Sequence, residues 1–221
     1  GQGVTDFKGI WGTTIDCYKN FPERVIETPL AEDSVAGISI GASLNGLYPI
    51  NSHIRADFSL LIFNQLINLA SKYRYMYGGL FSLPMIFRLV IGRSWGQGAQ
   101  HSQSIQSILS HFPGLTVLMP SSPTSIIKAY SYSVKKYKNP VIILEHRLLY
   151  DLDFDTKPIN TFEDAFEPIL VERGDDITIV ATSVMVVEAK RCLKYIKKMN
   201  ISAELIDLNC ISHINEELIF E

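Results

Sequence analysis

The 221-residue sequence lacks the features that mark several common classes of protein. Its three cysteines, Cys17, Cys192 and Cys210, lie far apart and form no C-x-x-C pair, which excludes a disulfide scaffold and a zinc ribbon. An odd, scattered set of thiols is typical of reduced cysteines inside a cell. The longest apolar runs, such as Phe58–Phe63, fall well short of the ~20 residues of a membrane-spanning helix. We therefore expect no membrane partner.

The sequence also has no excess of charge of either sign. It contains 20 Lys and Arg against 23 Asp and Glu, for a formal net charge of −3. A nucleic-acid-binding protein shows a basic excess or a basic stripe, so we expect no nucleic-acid partner. The first residues lack the basic and apolar stretches of a secretory signal. We expect the protein to work in the cytoplasm of a bacterium, or in the mitochondrial matrix or plastid of a eukaryote.

Several catalytic and phosphate-binding motifs are missing as well. There is no G-x-S-x-G nucleophile elbow and no G-x-x-x-x-G-K-[ST] phosphate loop. Gly96-Gln97-Gly98 does not continue into a dinucleotide fingerprint, because His101 stands where the third glycine belongs. The five histidines show no metal-ligand spacing, so the sequence predicts no metal site on this chain.

What the sequence does contain is a regular alternation of short apolar runs and longer amphipathic ones. The apolar runs predict strands at Arg24–Glu27, Tyr48–Ile54, Pro84–Ile91, Leu115–Met119 and Pro140–Leu144. The amphipathic runs predict helices at Ala31–Asn45, Phe58–Tyr73, Ser104–Phe112 and Pro123–Tyr137. This spacing is typical of an α/β fold, in which helices cover both faces of a parallel sheet.

The same pattern divides the chain into two domains. Residues 1–150 form the first, residues 151–168 form a linker rich in Asp, Pro and Asn, and residues 169–221 begin a second α/β domain. The second domain has a strand at Asp176–Ala181, a helix at Val184–Lys198 and a strand at Ala203–Leu208. One such unit cannot cover its own sheet, so we expect this domain to be incomplete. The opening glycines, typical of the end of a strand, predict further sequence before Gly1.

Ligands in parallel α/β sheets bind at the carboxyl ends of strands. That rule selects three loops, Thr28–Glu32, Ile54–Phe58 and Gly92–Gln103. Glu32 either complements a helix dipole or directs its carboxylate into the crevice. His101 either satisfies loop backbone groups or transfers protons near neutral pH. Phe58 belongs either to the core or to the crevice.

Seven segments carry a resemblance to a known family. They are Arg24–Glu32, His53–Phe58, Tyr77-Gly78-Gly79, Gln97–Gln103, His111–Leu115, Asn139-Pro140-Val141 and Leu144–Arg147. In order and spacing they resemble the β subunit of the thiamine-diphosphate-dependent decarboxylase component of the pyruvate, branched-chain 2-oxoacid and acetoin dehydrogenases. The resemblance covers nearly the whole chain. It implies a transketolase-like pyrimidine-binding fold for the first domain and a transketolase C-terminal type of domain for the second.

The resemblance also implies roles for single residues. Glu32 would hydrogen-bond the ring nitrogen of the cofactor's aminopyrimidine, and Phe58 would stack on that ring. Leu30 and Ile54 would line the pocket around it. His101 would lie near the substrate and the incoming lipoyl group.

The partners follow from the same resemblance. It implies an α₂β₂ heterotetramer in which the α subunit holds the diphosphate through Mg²⁺, and a lipoyl-bearing acyltransferase core that accepts the acyl group. The substrate would be a small 2-oxoacid such as pyruvate, and this chain alone would be inactive. The sequence departs from the family at Ile211–Ile214, where the family usually has Ile-Arg-Pro-Leu. The family also has a helix and a strand before the position of Gly1, and a longer C-terminal domain.

Two other functions stay open at this point. A transketolase-like enzyme acting on sugar phosphates would need basic residues that converge on a phosphate, and Arg55, Arg88 and Arg93 are the candidates. A non-catalytic assembly subunit would need neither Glu32 nor His101.

Overall fold

The computed structural model describes residues 1–93, 96–154 and 164–220, so part of the predicted linker and two residues of the predicted 92–103 loop lie outside it. Within that part the α-helices are α1 (Ile15–Asn20), α2 (Glu32–Leu44), α3 (Tyr73–Met76), α4 (Gln106–Ser110), α5 (Pro123–Lys135), α6 (Val184–Lys198) and α7 (Glu217–Phe220). The strands are β1 (Ile50–His53), β2 (Met85–Ile91), β3 (Thr116–Leu118), β4 (Pro140–His146), β5 (Ile169–Glu172), β6 (Ile177–Ala181) and β7 (Ala203–Asp207). No helix in the described ranges is long and apolar enough to cross a membrane.

A four-stranded sheet of order β1-β2-β4-β3 forms the centre of the first domain, and every pairing in it is parallel. β2 pairs with β4 along its full length, from Met85 opposite Pro140 to Ile91 opposite His146. All seven residues of β2 are buried, as expected for a strand covered on both faces. The predicted α/β fold with a parallel sheet is confirmed.

Separate apolar clusters cover the two faces of this sheet. On one face Phe87, Leu89 and Leu144 pack with Ala36 and Ile40 of α2. On the other face the side chains of Ile86, Val141, Ile143 and Leu118 pack with Ala129 of α5. Alternate residues of one strand thus enter opposite cores, because successive side chains of a strand point to opposite faces.

Helix α5 begins at a reciprocal cap. The Ser125 backbone N–H donates to the Ser122 Oγ at 3.2 Å, and the Ser122 N–H donates to the Ser125 Oγ at 3.0 Å. Pro123, at the first helical position, fits because its missing N–H would have no partner within the helix. The helix predicted at 123–137 is confirmed, two residues shorter.

Two predicted elements differ from the structure. The strand predicted at Arg24–Glu27 is wrong, because residues 25–28 run beside residues 1–5 and not in the sheet. Thr28 N donates to the Gly1 carbonyl at 3.0 Å, and the Glu27 carboxylate accepts from the backbone of Gly3 and of Thr5.

The predicted helix at 58–73 has a different winding. It is a 3₁₀-helix over Ala56–Ile62 and a π-helix over Asn64–Ala70. Apolar residues spaced three and four apart are compatible with an α-helix, a 3₁₀-helix and a π-helix. The spacing does not determine which carbonyl each backbone N–H bonds to.

Glu145 and Arg88 form a buried ion pair between the central strands. Arg88 donates from Nε and Nη2 to the two Glu145 oxygens at 2.9 and 2.7 Å. The hydroxyls of Tyr130 and Tyr150 each donate to the same carboxylate at 2.6 Å. Burial raises the pKa of this carboxyl, but the Arg88 charge and these hydrogen bonds outweigh burial and hold it below its ordinary value.

The second sheet has the order β5-β7-β6, with β5 antiparallel and β6 parallel to β7. The strands predicted on either side of α6 are confirmed, whereas β5 was not predicted. The segment after β7 joins the first domain along β3. The Met119 N–H donates to the Asn209 carbonyl at 2.8 Å, and the Ile211 N–H donates to the Val117 carbonyl at 3.0 Å.

A buried carboxyl lies at this junction. The Ser121 hydroxyl of the first domain donates to Asp207 Oδ2, at the end of β7. Burial raises the pKa of Asp207 to about 6, although the Ser121 hydrogen bond acts in the opposite direction.

Candidate functional site

A cavity of about 490 Å³ opens beside the carboxyl end of β1. Its lining includes all five residues that the family resemblance selects: Leu30, Glu32, Ile54, Phe58 and His101. They come from the loop before α2 and the first turn of that helix, the segment after β1 and the loop after β2. The rule that ligands bind at the carboxyl ends of parallel strands thus accounts for the segments after β1 and β2. The loop before α2 reaches the cavity without following a strand of the sheet.

Glu32 occupies the first turn of α2, where its carboxylate lies near the unpaired N–H groups of the helix. The side chain is half-buried and lines the cavity. Glu32 can therefore both complement the helix dipole and direct its carboxylate into the cavity, because the first turn of α2 forms part of the cavity wall.

Phe58 and His101 are in contact across the cavity. Their ring centroids are 5.3 Å apart, with the planes at 77°. The Phe58 side chain is 39 % exposed, so one part of its ring packs and another faces outward. Phe58 is therefore a cavity residue and not a core residue.

The His101 ring is held by a hydrogen bond within its own loop. Its Nδ1 lies 3.1 Å from the Gln97 carbonyl oxygen. A carbonyl oxygen only accepts, so Nδ1 carries the proton and Nε2 has a lone pair when the ring is neutral. Gly98, with φ of 74°, starts the short 3₁₀ turn Ala99–His101 in a conformation that glycine adopts without strain.

Two further polar residues from the segment around the end of β1 belong to the cavity. The Arg55 guanidinium donates from Nε to Gln97 Oε1 at 2.9 Å and from Nη1 to the Ile54 carbonyl at 3.0 Å. Burial, followed by the nearby Arg147 charge, lowers the pKa of Arg55. His53 is 6 % exposed, and its Nε2 has no hydrogen-bond partner among the described residues. Burial lowers the pKa of His53 to about 4, so this imidazole is neutral at neutral pH.

Sequence reasoning gave neither His53 nor Gln97 a role of its own. His53 is the last residue of β1, so its position at a carboxyl strand end was the available signal. Gln97 had no comparable signal, because its role depends on a contact with Arg55, 42 positions away.

These side chains fit a flat heteroaromatic ring with a polar edge, such as an aminopyrimidine. Leu30, Ile54 and the Phe58 ring supply apolar surface, and Glu32 supplies an acceptor or a donor at one edge. Among the described residues no group of three or more His, Cys, Asp or Glu could hold a metal ion. Of the candidate phosphate ligands, Arg55 lines the cavity, whereas Arg88 is bound to Glu145.

Comparisons with known proteins agree with this geometry. Residues 2–152 match the family described as the transketolase pyrimidine binding domain, and residues 168–221 match the transketolase C-terminal domain.

Curated relatives align with the whole chain. The β subunit of acetoin:2,6-dichlorophenolindophenol oxidoreductase from Cupriavidus necator is 34 % identical, with 100 % of this chain and 66 % of that protein covered. The β subunit of the pyruvate dehydrogenase E1 component from Rickettsia conorii is 35 % identical, with coverages of 100 % and 68 %. The 2-oxoisovalerate dehydrogenase β subunit of Bacillus subtilis is 33 % identical, again with 100 % and 68 %. The chain spans about two thirds of the length of these relatives.

Solved structures share the fold. A split-gene transketolase, described as an inactive β4 tetramer, superposes with a TM-score of 0.75 at 22 % identity over 98 % of this chain and 67 % of the other. A transketolase from Pichia stipitis gives 0.70 at 18 % identity over 88 % and 29 %. The family matches and the curated relatives show that the chain belongs to the transketolase family, in the branch that holds the β subunits of 2-oxoacid dehydrogenases.

Proposed function

We propose that this chain is the β subunit of a thiamine-diphosphate-dependent 2-oxoacid dehydrogenase and supplies the pyrimidine-binding half of its active site. The observation that carries the proposal is the convergence of Leu30, Glu32, Ile54, Phe58 and His101 on one cavity. When bound, thiamine diphosphate would supply a nucleophilic carbon and the electron sink for decarboxylation.

The chain's own residues have distinct tasks in this proposal. Glu32 holds and exchanges a proton at the pyrimidine ring nitrogen, which requires a carboxyl group because an amide cannot exchange a proton. Phe58 offers a ring face for stacking, and Leu30 and Ile54 exclude water from the sides of the ring. His101, with Nδ1 committed to Gln97, has Nε2 available to exchange a proton with the substrate or the lipoyl group.

A partner chain completes the proposed site. The cavity rim is apolar and open, with Leu30 72 % and Leu61 59 % exposed. Exposed apolar surface of this kind marks an interface. We propose an α subunit as that partner, holding the diphosphate through Mg²⁺ in an α₂β₂ assembly, and a lipoyl-bearing acyltransferase core as acceptor of the acyl group. The proposed compartment is the bacterial cytoplasm, or the mitochondrial matrix or plastid in a eukaryote.

The test is co-expression with an α subunit from the same genome, followed by thiamine-diphosphate-dependent decarboxylation of a panel of 2-oxoacids that begins with pyruvate. Glu32→Gln should lower kcat by about 100-fold or more, the usual contribution of a positioned acid–base group. Asp33→Asn is the matched control, because Asp33 is exposed in the same helical turn and is not part of the cavity lining. It should retain wild-type activity.

The competing functions give different results in the same assay. An assembly that binds cofactor and turns over sugar phosphates but no 2-oxoacid is a transketolase-like enzyme. This outcome is tested because Arg55, a candidate phosphate ligand, lines the cavity. An assembly in which Glu32→Gln matches wild type, or a chain active without its α partner, contradicts the proposal.

A further inference from the structure

The loop that carries His101 is held at both ends by one short segment that follows β1. At one end, the Arg55 Nε and Nη2 atoms both donate to Gln97 Oε1. At the other end, the Gln103 backbone N–H donates to Oδ1 of the buried Asp57 at 2.9 Å. Residues 97–103 are therefore fixed to residues 55–57, although they lie more than 40 positions apart in sequence.

Gln97 accepts hydrogen bonds at two different parts of the residue. Its side chain accepts the Arg55 fork, and its backbone carbonyl accepts the His101 Nδ1–H at 3.1 Å. Among the described residues, the Gln97 carbonyl is the only hydrogen-bond partner of His101 Nδ1. A change in the position of Gln97 therefore changes this hydrogen bond. We propose that Arg55 is a positioning residue that, through Gln97, holds His101 as the Nδ1–H tautomer.

Arg55 is itself well anchored for this task. Its guanidinium lies 4.7 Å from the centre of the Trp11 ring, and Nη1 donates to the Ile54 carbonyl at 3.0 Å. Trp11 has a φ of 52° and the buried Ile10 a φ of 45°, conformations that are costly for residues other than glycine. The packing around Ile10 thus fixes a strained backbone turn that presents the Trp11 ring to Arg55.

The consequence for chemistry lies in the choice of tautomer. The hydrogen bond that one imidazole nitrogen makes decides which nitrogen carries the proton. Donation from Nδ1 to a carbonyl leaves the Nε2 lone pair ready to accept a proton. The catalytic meaning of this arrangement rests on the proposed function, whereas the tautomer itself can be measured without it.

The test is nitrogen NMR of the histidine rings in the ¹⁵N-labelled chain, at a pH where His101 is neutral, with His101→Gln to assign its signals. Wild type should show the Nδ1–H form. Arg55→Met should reduce the ratio of Nδ1–H to Nε2–H by about fivefold, the effect of losing one ordinary hydrogen-bond constraint. Arg55→Lys should behave like Arg55→Met, because an ammonium group keeps the charge but cannot reproduce the planar fork.

Arg147→Met is the matched control. Arg147 lies over the same Trp11 ring, 4.6 Å from its centre, but is not part of the cavity lining. This variant should leave the His101 tautomer as in wild type. An unchanged tautomer in Arg55→Met, or an equal shift in Arg147→Met, overturns the proposal, because the effect would then be absent or would reflect general packing on Trp11.

A second measurement in the assembled enzyme connects the tautomer to turnover. Arg55→Met should lower kcat by about tenfold with little change in KM for the 2-oxoacid, as expected for an interaction that acts on the transition state. A rise in KM that Arg55→Lys corrects would mean direct substrate binding by the Arg55 charge and would overturn positioning. If wild-type assemblies decarboxylate no 2-oxoacid, the proposed function fails while the NMR result still decides the role of Arg55.

Discussion

Glu145 is a buried carboxylate that accepts four hydrogen bonds from three side chains. Its two oxygens accept from Arg88, Tyr130 and Tyr150, and both members of the ion pair are buried. An intact buried ion pair of this kind contributes little to the free energy of unfolding, because the cost of desolvating both groups offsets the attraction between their charges. Its removal is costly all the same, because the remaining charge has no compensation.

We expect Glu145→Gln to lower the free energy of unfolding by about 3–5 kcal/mol, since it leaves the Arg88 charge buried and unpaired. Urea unfolding measures this. The control is Glu188→Gln, which removes the carboxylate from the exposed Glu188–Arg191 pair on α6. That change should cost less than about 1 kcal/mol, because exposed ion pairs contribute little. Equal losses in the two variants would show that burial does not determine the cost.

At the residue scale, the sequence predicted the cavity residues better than their surroundings. The loops containing Glu32 and His101 could be placed because each follows a predicted strand or precedes a helix. The contact of Arg55 with Gln97 and the burial of His53 could not be predicted, because both depend on which loops meet in three dimensions.

At the scale of single elements, α5 shows how local sequence determines a boundary. Ser122 and Ser125 satisfy each other's backbone N–H groups, and Pro123 lies between them at the start of the helix. Such a start can be read from sequence because all its partners lie within four residues.

Ser122→Ala should destabilise the protein by about 1 kcal/mol, because a backbone N–H at the start of α5 loses its side-chain acceptor. Ser131→Ala, on the same helix and only partly buried, is the control and should be neutral or slightly stabilising. Thermal unfolding of the two variants compares them directly. A loss in Ser131→Ala as large as in Ser122→Ala would exclude the cap as the cause.

Elements whose partners are distant in sequence were predicted less well. The apolar residues Val25 and Ile26 indicated a strand, yet residues 25–28 hydrogen-bond to the first residues of the chain. The helical segment at 56–70 was located correctly, but its 3₁₀ and π windings depend on how Ile62, Leu66 and Ala70 pack into the core.

At the scale of the whole molecule, the junction between the two sheets contains a carboxyl group that is costly to ionise. Asp207 is buried against Ser121, and its pKa rises from 3.8 to about 6. The raised pKa means that the folded state binds the proton more tightly than the unfolded state. The stability that this proton contributes is therefore complete below about pH 4 and is lost as the pH rises through 6.

Ionisation of Asp207 should lower the wild-type free energy of unfolding by about 3 kcal/mol between pH 4 and neutral pH. Asp207→Asn, which keeps an acceptor for Ser121, should remove this loss and be more stable than wild type at neutral pH. Asp175→Asn, on the exposed surface of the second domain, should keep the wild-type pH dependence. Identical pH profiles for Asp207→Asn and wild type would contradict the assignment.

The order of the first sheet has a consequence for synthesis of the chain. β2 ends at Ile91, whereas its partner β4 begins at Pro140. A ribosome adds about 5–20 residues per second, so the edge of β2 that pairs with β4 stays unpaired for roughly 2–10 seconds during synthesis. Arg88 is the charged residue in the middle of that strand, and a charge inside an apolar segment opposes aggregation. The side chain that Glu145 later neutralises thus also opposes aggregation of the strand before its partner emerges.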